Sequence, residues 1–174
     1  MRRNFFQWTD YIPREVVIAC ATLGPLGRRM KAPGTVGSAV GLVWYAIIFS
    51  NLTPLSYILT LAITAYIAMA LCDAAEGYMG THDPQSVILD EMVAVPACFI
   101  GLQGAMQNHP PWILALGAFV LFRAFDILKP FGIKRFEKLR GGIGVVADDL
   151  AAAVATCICL HLILMGIGDG SLAV

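Results

Sequence analysis

Long apolar runs separated by short polar stretches dominate this chain. Five stand out: Val36 to Phe49, Pro54 to Cys72, Ile88 to Met106, Pro111 to Leu128 and Val145 to Gly168. Crossing ~30 Å of hydrocarbon takes about 20 helical residues. The second run, 19 residues without a charge, therefore predicts a spanning helix. The third has Asp90 and Glu91 near its start, the fourth Arg123 and Asp126 near its end, and the fifth opens with Asp148 and Asp149. The first run is short for a crossing and predicts a span, a re-entrant helix or a buried one. In residues 1–24, Asp10, Pro13, Arg14 and Glu15 interrupt the apolar pattern, which predicts a short surface helix instead of a cleaved signal. Turn residues at Ser50-Asn51, Asn108-His109-Pro110-Pro111 and Lys129-Pro130 separate the runs. The expectation is an all-α integral membrane bundle of four to five apolar helices plus a short N-terminal surface helix, with residues 1–174 as a single domain.

Composition sharpens this. The chain is 58% hydrophobic and only 14% charged, where a soluble domain carries about 25% charged residues. Its net charge is zero, so no broad basic surface is available for nucleic acid. The five cysteines lie in apolar stretches with no C-x-x-C pair, which argues for buried, reduced thiols over a disulfide framework or zinc site.

Charge placement then orients the bundle. The connections near residues 50–54, 101–111 and 167–174 contain no Lys or Arg, whereas those near 1–35 and 129–143 hold every basic residue except Arg123. Short basic loops mark the cytoplasmic side, giving five crossings with the N-terminus inside. Asp73, Glu76, Asp83, Asp90, Glu91, Asp126, Asp148 and Asp149 gather at that same set of ends.

Four clusters could carry chemistry. In Lys31-Ala-Pro-Gly-Thr-Val-Gly-Ser38, a helix start near Thr35 to Ser38 offers backbone N–H groups, two hydroxyls and a lysine to a phosphate. An ordinary helix cap is the plain alternative. Between Asp73 and Glu91, five acids fall within nineteen residues. Ionised groups one turn into an apolar helix are costly unless paired, wetted or metal-bound, although first-turn acids also complement a helix dipole. Arg123 and Asp126 share a helix face as an i,i+3 pair beside Lys129. Finally, Gly141-Gly-Ile-Gly-Val-Val-Ala-Asp-Asp149 places a flexible turn ahead of two adjacent carboxylates. Mg²⁺ suits them, because it takes one or two carboxylates, keeps waters and bridges to phosphate oxygens. His82 lies among the acids, while His109 and His161 belong elsewhere.

Taken in order, the four blocks resemble the phosphatidylglycerophosphatase A family: Lys31 to Ser38, His82-Asp-Pro-Gln-Ser-Val-Ile-Leu-Asp-Glu91, Phe122-Arg-Ala-Phe-Asp-Ile-Leu-Lys-Pro130, and Gly141 to Asp149. The resemblance covers roughly residues 20–165, and the ordered set is specific where each block alone is weak. Ala94, Gly132 and Ala153 depart from its usual Gly, Pro and Gly, which concerns packing more than chemistry. It implies a bacterial inner-membrane enzyme, active at the cytoplasmic face, that converts phosphatidylglycerophosphate to phosphatidylglycerol with Mg²⁺.

The expected mechanism follows. Asp90, Glu91, Asp148 and Asp149 hold one or two Mg²⁺, with Asp83 and Glu76 as further ligands, and a metal-activated water attacks the phosphate. Asp83, Asp90, Glu91 and Asp149 form the catalytic set. Lys31, Thr35, Ser38, Arg123 and Lys129 bind the phosphate, and Asp126 positions Arg123 or Lys129. The lipid's acyl chains stay in the bilayer. The competing reading is a transporter or ion-conducting component using the acids for cations or protons, which favours charges at the bilayer midplane. Metal count, general base and oligomeric state are left open, and a homo-oligomer is compatible with either reading.

Overall fold

In the computed structural model, residues 6–168 are described; the Arg2-Arg3 pair and residues 169–174 lie outside them. Among the described residues every regular element is helical. A 3₁₀ turn at Gln7–Tyr11 leads into α1 (Arg14–Ala21) and α2 (Leu26–Arg29). Then come α3 (Pro33–Trp44), continued by a π-helical turn to Phe49, and α4 (Pro54–Met79). α5 (Leu89–Ala94), a 3₁₀ stretch at Val95–Phe99 and α6 (Gln103–Asn108) follow. The chain closes with α7 (Pro111–Leu128), a 3₁₀ stretch at Pro130–Lys138 and α8 (Gly142–Gly166).

Three helices among the described residues, α4, α7 and α8, have the length and apolar composition to cross a membrane, and Pro33–Phe49 is a shorter apolar helix. Each long helix has a local reason for its limits. Thr53 caps α4, accepting from the Ser56 N–H at 3.4 Å, and Pro54 supplies the first helical position. Left-handed Gly80 ends α4, its N–H bonding Glu76 O at 2.9 Å. α7 begins at Pro111 and stops at left-handed Lys129, followed by Pro130, which cannot continue a helix.

The third apolar run departs from expectation: residues 88–106 do not form one spanning helix. Pro96 lacks the N–H an α-helix needs, and the chain tightens to 3₁₀ at Val95–Phe99 before turning at Gly101, φ +75°. This irregular stretch is entirely buried. Its freed carbonyl at Pro96 accepts from the Tyr57 hydroxyl at 2.6 Å, and Phe99 stacks on Tyr45 with centroids 4.1 Å apart. Non-helical backbone at membrane depth is tolerated where protein covers it. The N-terminal arm also differs from a simple surface helix, because Val17 and Ala21 of α1 are buried in a cluster with Ala65, Ala68 and Cys72 of α4. All five cysteines are free, as expected, yet Cys20 is exposed while Cys72 and Cys98 are buried.

Close backbone contact sets how the helices meet. Gly34, Gly37 and Gly41 form one stripe of α3 facing the α5 segment. A Cβ added at Gly41 would lie 2.7 Å from Val95 Cβ and 2.9 Å from Met92 O. Lipid is as apolar as leucine, so helices in a membrane associate through such close packing. Gly41→Ala is therefore expected to destabilise the protein by about 1–3 kcal/mol. Gly166→Ala, where a Cβ meets nothing within 4 Å, should be neutral or slightly stabilising. Thermal melts in detergent check the pair, and equal melting temperatures would remove the stripe from the packing argument.

Candidate active site at the charged end of the bundle

α4 and α7 end, and α8 begins, at the same end of the molecule, so residues far apart in sequence converge there. The first turn of α3, the loop before α5, α5 itself and the charged ends of α7 and α8 enclose a cavity of about 370 Å³. Six carboxylates line it, from Asp83, Asp90, Glu91, Asp126, Asp148 and Asp149, against two cations, Arg123 and Lys129. Pro33, Gly34 and Thr35 form the opposite wall.

Two ion pairs organise the rim. Arg123 Nη1 donates to Asp126 Oδ2 at 2.7 Å, the i,i+3 pair the sequence predicts, and lies 3.9 Å from Glu91 Oε1. It also approaches Ser38 Oγ at 3.5 Å. Gly34 is what admits this group. A Cβ there would collide with Glu91 Oε1 and stand 3.0 Å from Arg123 Nη1. The second pair joins Lys129 Nζ to Asp148 Oδ2. Lys129 holds φ at +44°, a strained backbone for a side-chain-bearing residue, just where the chain turns its ammonium toward α8.

Behind the rim lies a third group. Asp90, Glu91 and Asp149 can each place one oxygen so that all three lie within 4.8 Å of one another. Asp90 and Asp149 are buried, and Asp90 Oδ1 and Glu91 Oε2 have no hydrogen-bond partner. Asp90 and Glu91 stand on α5, outside the three spanning helices. Burial, and then the charge of Glu91, pushes the Asp90 carboxyl well above the ordinary range. Burial also pushes Glu91 up to about 7, although its hydrogen bond to Asp90 and the charge of Arg123 pull the other way. The protein's own groups leave Asp90 and Glu91 short of partners for two ionised carboxylates.

A hard divalent cation fits that deficit. The donors are all oxygen, with buried carboxylate oxygens left unpartnered. Ligand oxygens 2.0–2.6 Å from one centre lie at most about 4–5 Å apart, which matches the spacing of the three acids.

The remaining expected residues are placed differently. Glu76 does not join the trio: its Oε1 accepts the Asp83 N–H at 2.8 Å and meets His82 Nδ1 at 2.7 Å, leaving buried Oε2 unpartnered. Glu76 thus pins the loop in which Asp83 adopts φ +47°. Asp148 faces Lys129, whereas Asp149 faces the trio. Thr35 lines the cavity, but Lys31 and Ser38, expected on the phosphate, do not. Ser38 is buried and donates to Gly34 O at 2.8 Å, as the helix starts at Pro33 and not at Thr35 to Ser38. Lys31 is exposed ahead of it.

Sequence reasoning assigned no site role to Gly34, Gln85 or Asp73. Gln85 lines the cavity. Asp73 Oδ1 accepts the Gly142 N–H at 3.4 Å, and Gly141 sits against it with φ +60° and ψ −150°, a backbone open essentially to glycine. The signal was the Gly141-Gly142 pair, which reads as flexibility until its partner on α4 is known.

Comparison with known proteins places this arrangement. A model of the family described as Phosphatidylglycerophosphatase A matches residues 19–164. A Haemophilus influenzae phosphatidylglycerophosphatase A is 41% identical over 133 residues, 76% of this chain and 78% of the relative. An Escherichia coli phosphatidylglycerophosphatase A is 33% identical over 133 residues, covering 75% and 73%. A Bacteroides thetaiotaomicron protein, named as a candidate phosphatidylinositol-3-phosphatase, is 36% identical over 143 residues, covering 79% and 86%. No solved structure matches.

Proposed function

The chain belongs to the phosphatidylglycerophosphatase A family and is a phosphoric monoester hydrolase of a membrane; from that premise we propose that it removes the terminal phosphate of phosphatidylglycerophosphate to leave phosphatidylglycerol. We place the reaction at the cytoplasmic face of a bacterial inner membrane, with Mg²⁺ as cofactor. The observation that carries this reading is the trio of buried Asp90 and Asp149 with part-buried Glu91, opening on a cavity whose two cations are already held in orientation.

Electrostatics explain the need for the cofactor. A phosphate monoester dianion entering beside six carboxylates and two cations meets net repulsion. Magnesium held by Asp90, Glu91 and Asp149 would offset that charge, act as a Lewis acid toward phosphoryl oxygens and ready a water for attack. The chain's own groups do the rest. Asp126 fixes the Arg123 guanidinium so that its other N–H groups can take phosphate oxygens in a planar fork. Lys129, oriented by Asp148, adds a compact charge against the phosphate as negative charge builds in the transition state. Thr35 and the first turn of α3 offer a hydroxyl and backbone N–H groups on the facing wall. Asp83, on the loop Glu76 pins, is the carboxylate we assign to taking a proton from the attacking water at a side-chain oxygen. The acyl chains stay in the bilayer, so the cavity need hold only the phosphorylated head group.

Purified protein should release phosphate from phosphatidylglycerophosphate in a Mg²⁺-dependent way. It should act at least about tenfold less well on phosphatidic acid and soluble phosphomonoesters, which lack head-group or bilayer contacts. Phosphatidylinositol 3-phosphate belongs in the same assay because of the Bacteroides relative's name. A preference for it would reassign the substrate, and activity unaffected by chelator would remove the cofactor. The transporter alternative gains nothing from these positions: the cavity's acids sit on the loop before α5, on α5 itself, in the last turn of α7 and in the first turns of α8, not midway along a long helix.

A further inference from the structure

A second cavity lies outside this site. Arg14, Glu15, Ile18, Gly24, Arg28 and Arg29 line an open groove of about 580 Å³ between α1 and α2. Three arginines face one acid there. Among the described residues neither the Arg28 nor the Arg29 side chain forms an ion pair or hydrogen bond. Arg14 is fixed: its Nη2 donates to Tyr78 O at 3.0 Å and its guanidinium lies over the Tyr78 ring. Tyr78 is in the last turn of α4, so the groove belongs to the same end of the bundle as the catalytic cavity. Exposed Tyr11, Val16 and Met30 flank the groove in sequence. Apolar side chains beside arginines are what a segment lying in the head-group layer presents.

The groove is built into the fold. Gly24 and Gly27 close the α1–α2 corner through backbone bonds to Ala19 O at 2.7 Å and Thr22 O at 2.9 Å. Ala21 O accepts the Ile88 N–H at 3.0 Å. The corner is therefore tied to the loop before α5, and the backbone that carries the arginines holds a set position on the bundle.

We infer that this groove binds the head group of a second, non-substrate anionic phospholipid, its phosphate between Arg28, Arg29 and Arg14. Arginine suits this role because its planar fork matches phosphate oxygens. The groove is open, so chains can remain in the bilayer.

Native mass spectrometry of the full chain, released from phosphatidylcholine nanodiscs containing phosphatidylglycerol, tests this. Wild type should retain phosphatidylglycerol selectively. Arg28→Gln/Arg29→Gln should lose roughly 30-fold in retention, as each surface cation contributes severalfold near an anionic lipid. Glu15→Gln, which removes the one acid among the described residues lining the groove, should raise retention severalfold and does not depend on the double variant folding. Arg123→Gln should leave retention unchanged. Equal retention of phosphatidylcholine, no effect of either groove change, or loss in Arg123→Gln instead would overturn the inference. So would displacement of the lipid by millimolar inorganic phosphate alone.

Discussion

Asp149→Asn is expected to lower phosphate release by about 10³-fold or more, the scale on which a bound metal stabilises charge in a transition state. Asparagine keeps the volume and shape of aspartate, so the buried position on α8 stays filled. What disappears is one of three carboxylates whose oxygens come within 4.8 Å. The change carries a second signature. Without metal, removing one of three crowded acids relieves repulsion, so the variant should melt at a higher temperature than wild type. Added Mg²⁺ should then raise the wild-type melting temperature, because a ligand binding only the folded state stabilises it, and should leave the variant nearly unchanged. Asp90→Asn should behave alike. Near-normal turnover, or an undiminished response to Mg²⁺, would place the metal elsewhere and leave the trio a structural feature.

That trio shows why the site was only partly legible in the sequence. α4, α7 and α8 announce themselves as apolar runs of spanning length with charges only toward one end, and the charged ends could be assigned to one side from loop composition. The Arg123–Asp126 pair is local, separated by three residues on one helix, so spacing alone foretold it. Asp148 and Asp149 are local too, yet adjacency misled. Successive residues on a helix point about 100° apart, so Asp148 turns to Lys129 while Asp149 turns to Asp90 and Glu91. Which neighbour faces which partner depends on how α8 docks against α5 and α7, and no spacing rule contains that. Glu76 is similar: it was expected as a further metal ligand, but its Oε1 turns to the 82–83 loop. The third apolar run went wrong for a different reason. Hydrophobicity there reports burial within the protein, with Pro96 and Gly101 marking where the helix breaks. A buried, broken segment and a lipid-facing helix look equally apolar.

Arg123→Gln is expected to reduce kcat by about 10²–10³-fold, the range for losing one preorganised donor to developing negative charge. The guanidinium is anchored from several sides: Asp126 at 2.7 Å, Glu91 at 3.9 Å and Ser38 at 3.5 Å, with buried Nε left unpartnered. Such anchoring fixes where its remaining N–H groups point, and orientation is what a substituted lysine cannot reproduce. Arg123→Lys keeps the charge but offers no planar fork, so it should recover at most about a tenth of the loss. Asp126→Asn separates positioning from contact. It loosens the guanidinium without removing it, and a decrease of roughly tenfold in kcat with little change in KM is expected. If Arg123 were merely a structural ion pair, Arg123→Gln and Asp126→Asn would lower the melting temperature alike and leave turnover per folded molecule near wild type. If instead it meets the phosphate, the arginine changes must outweigh the aspartate change in kcat at equal stability.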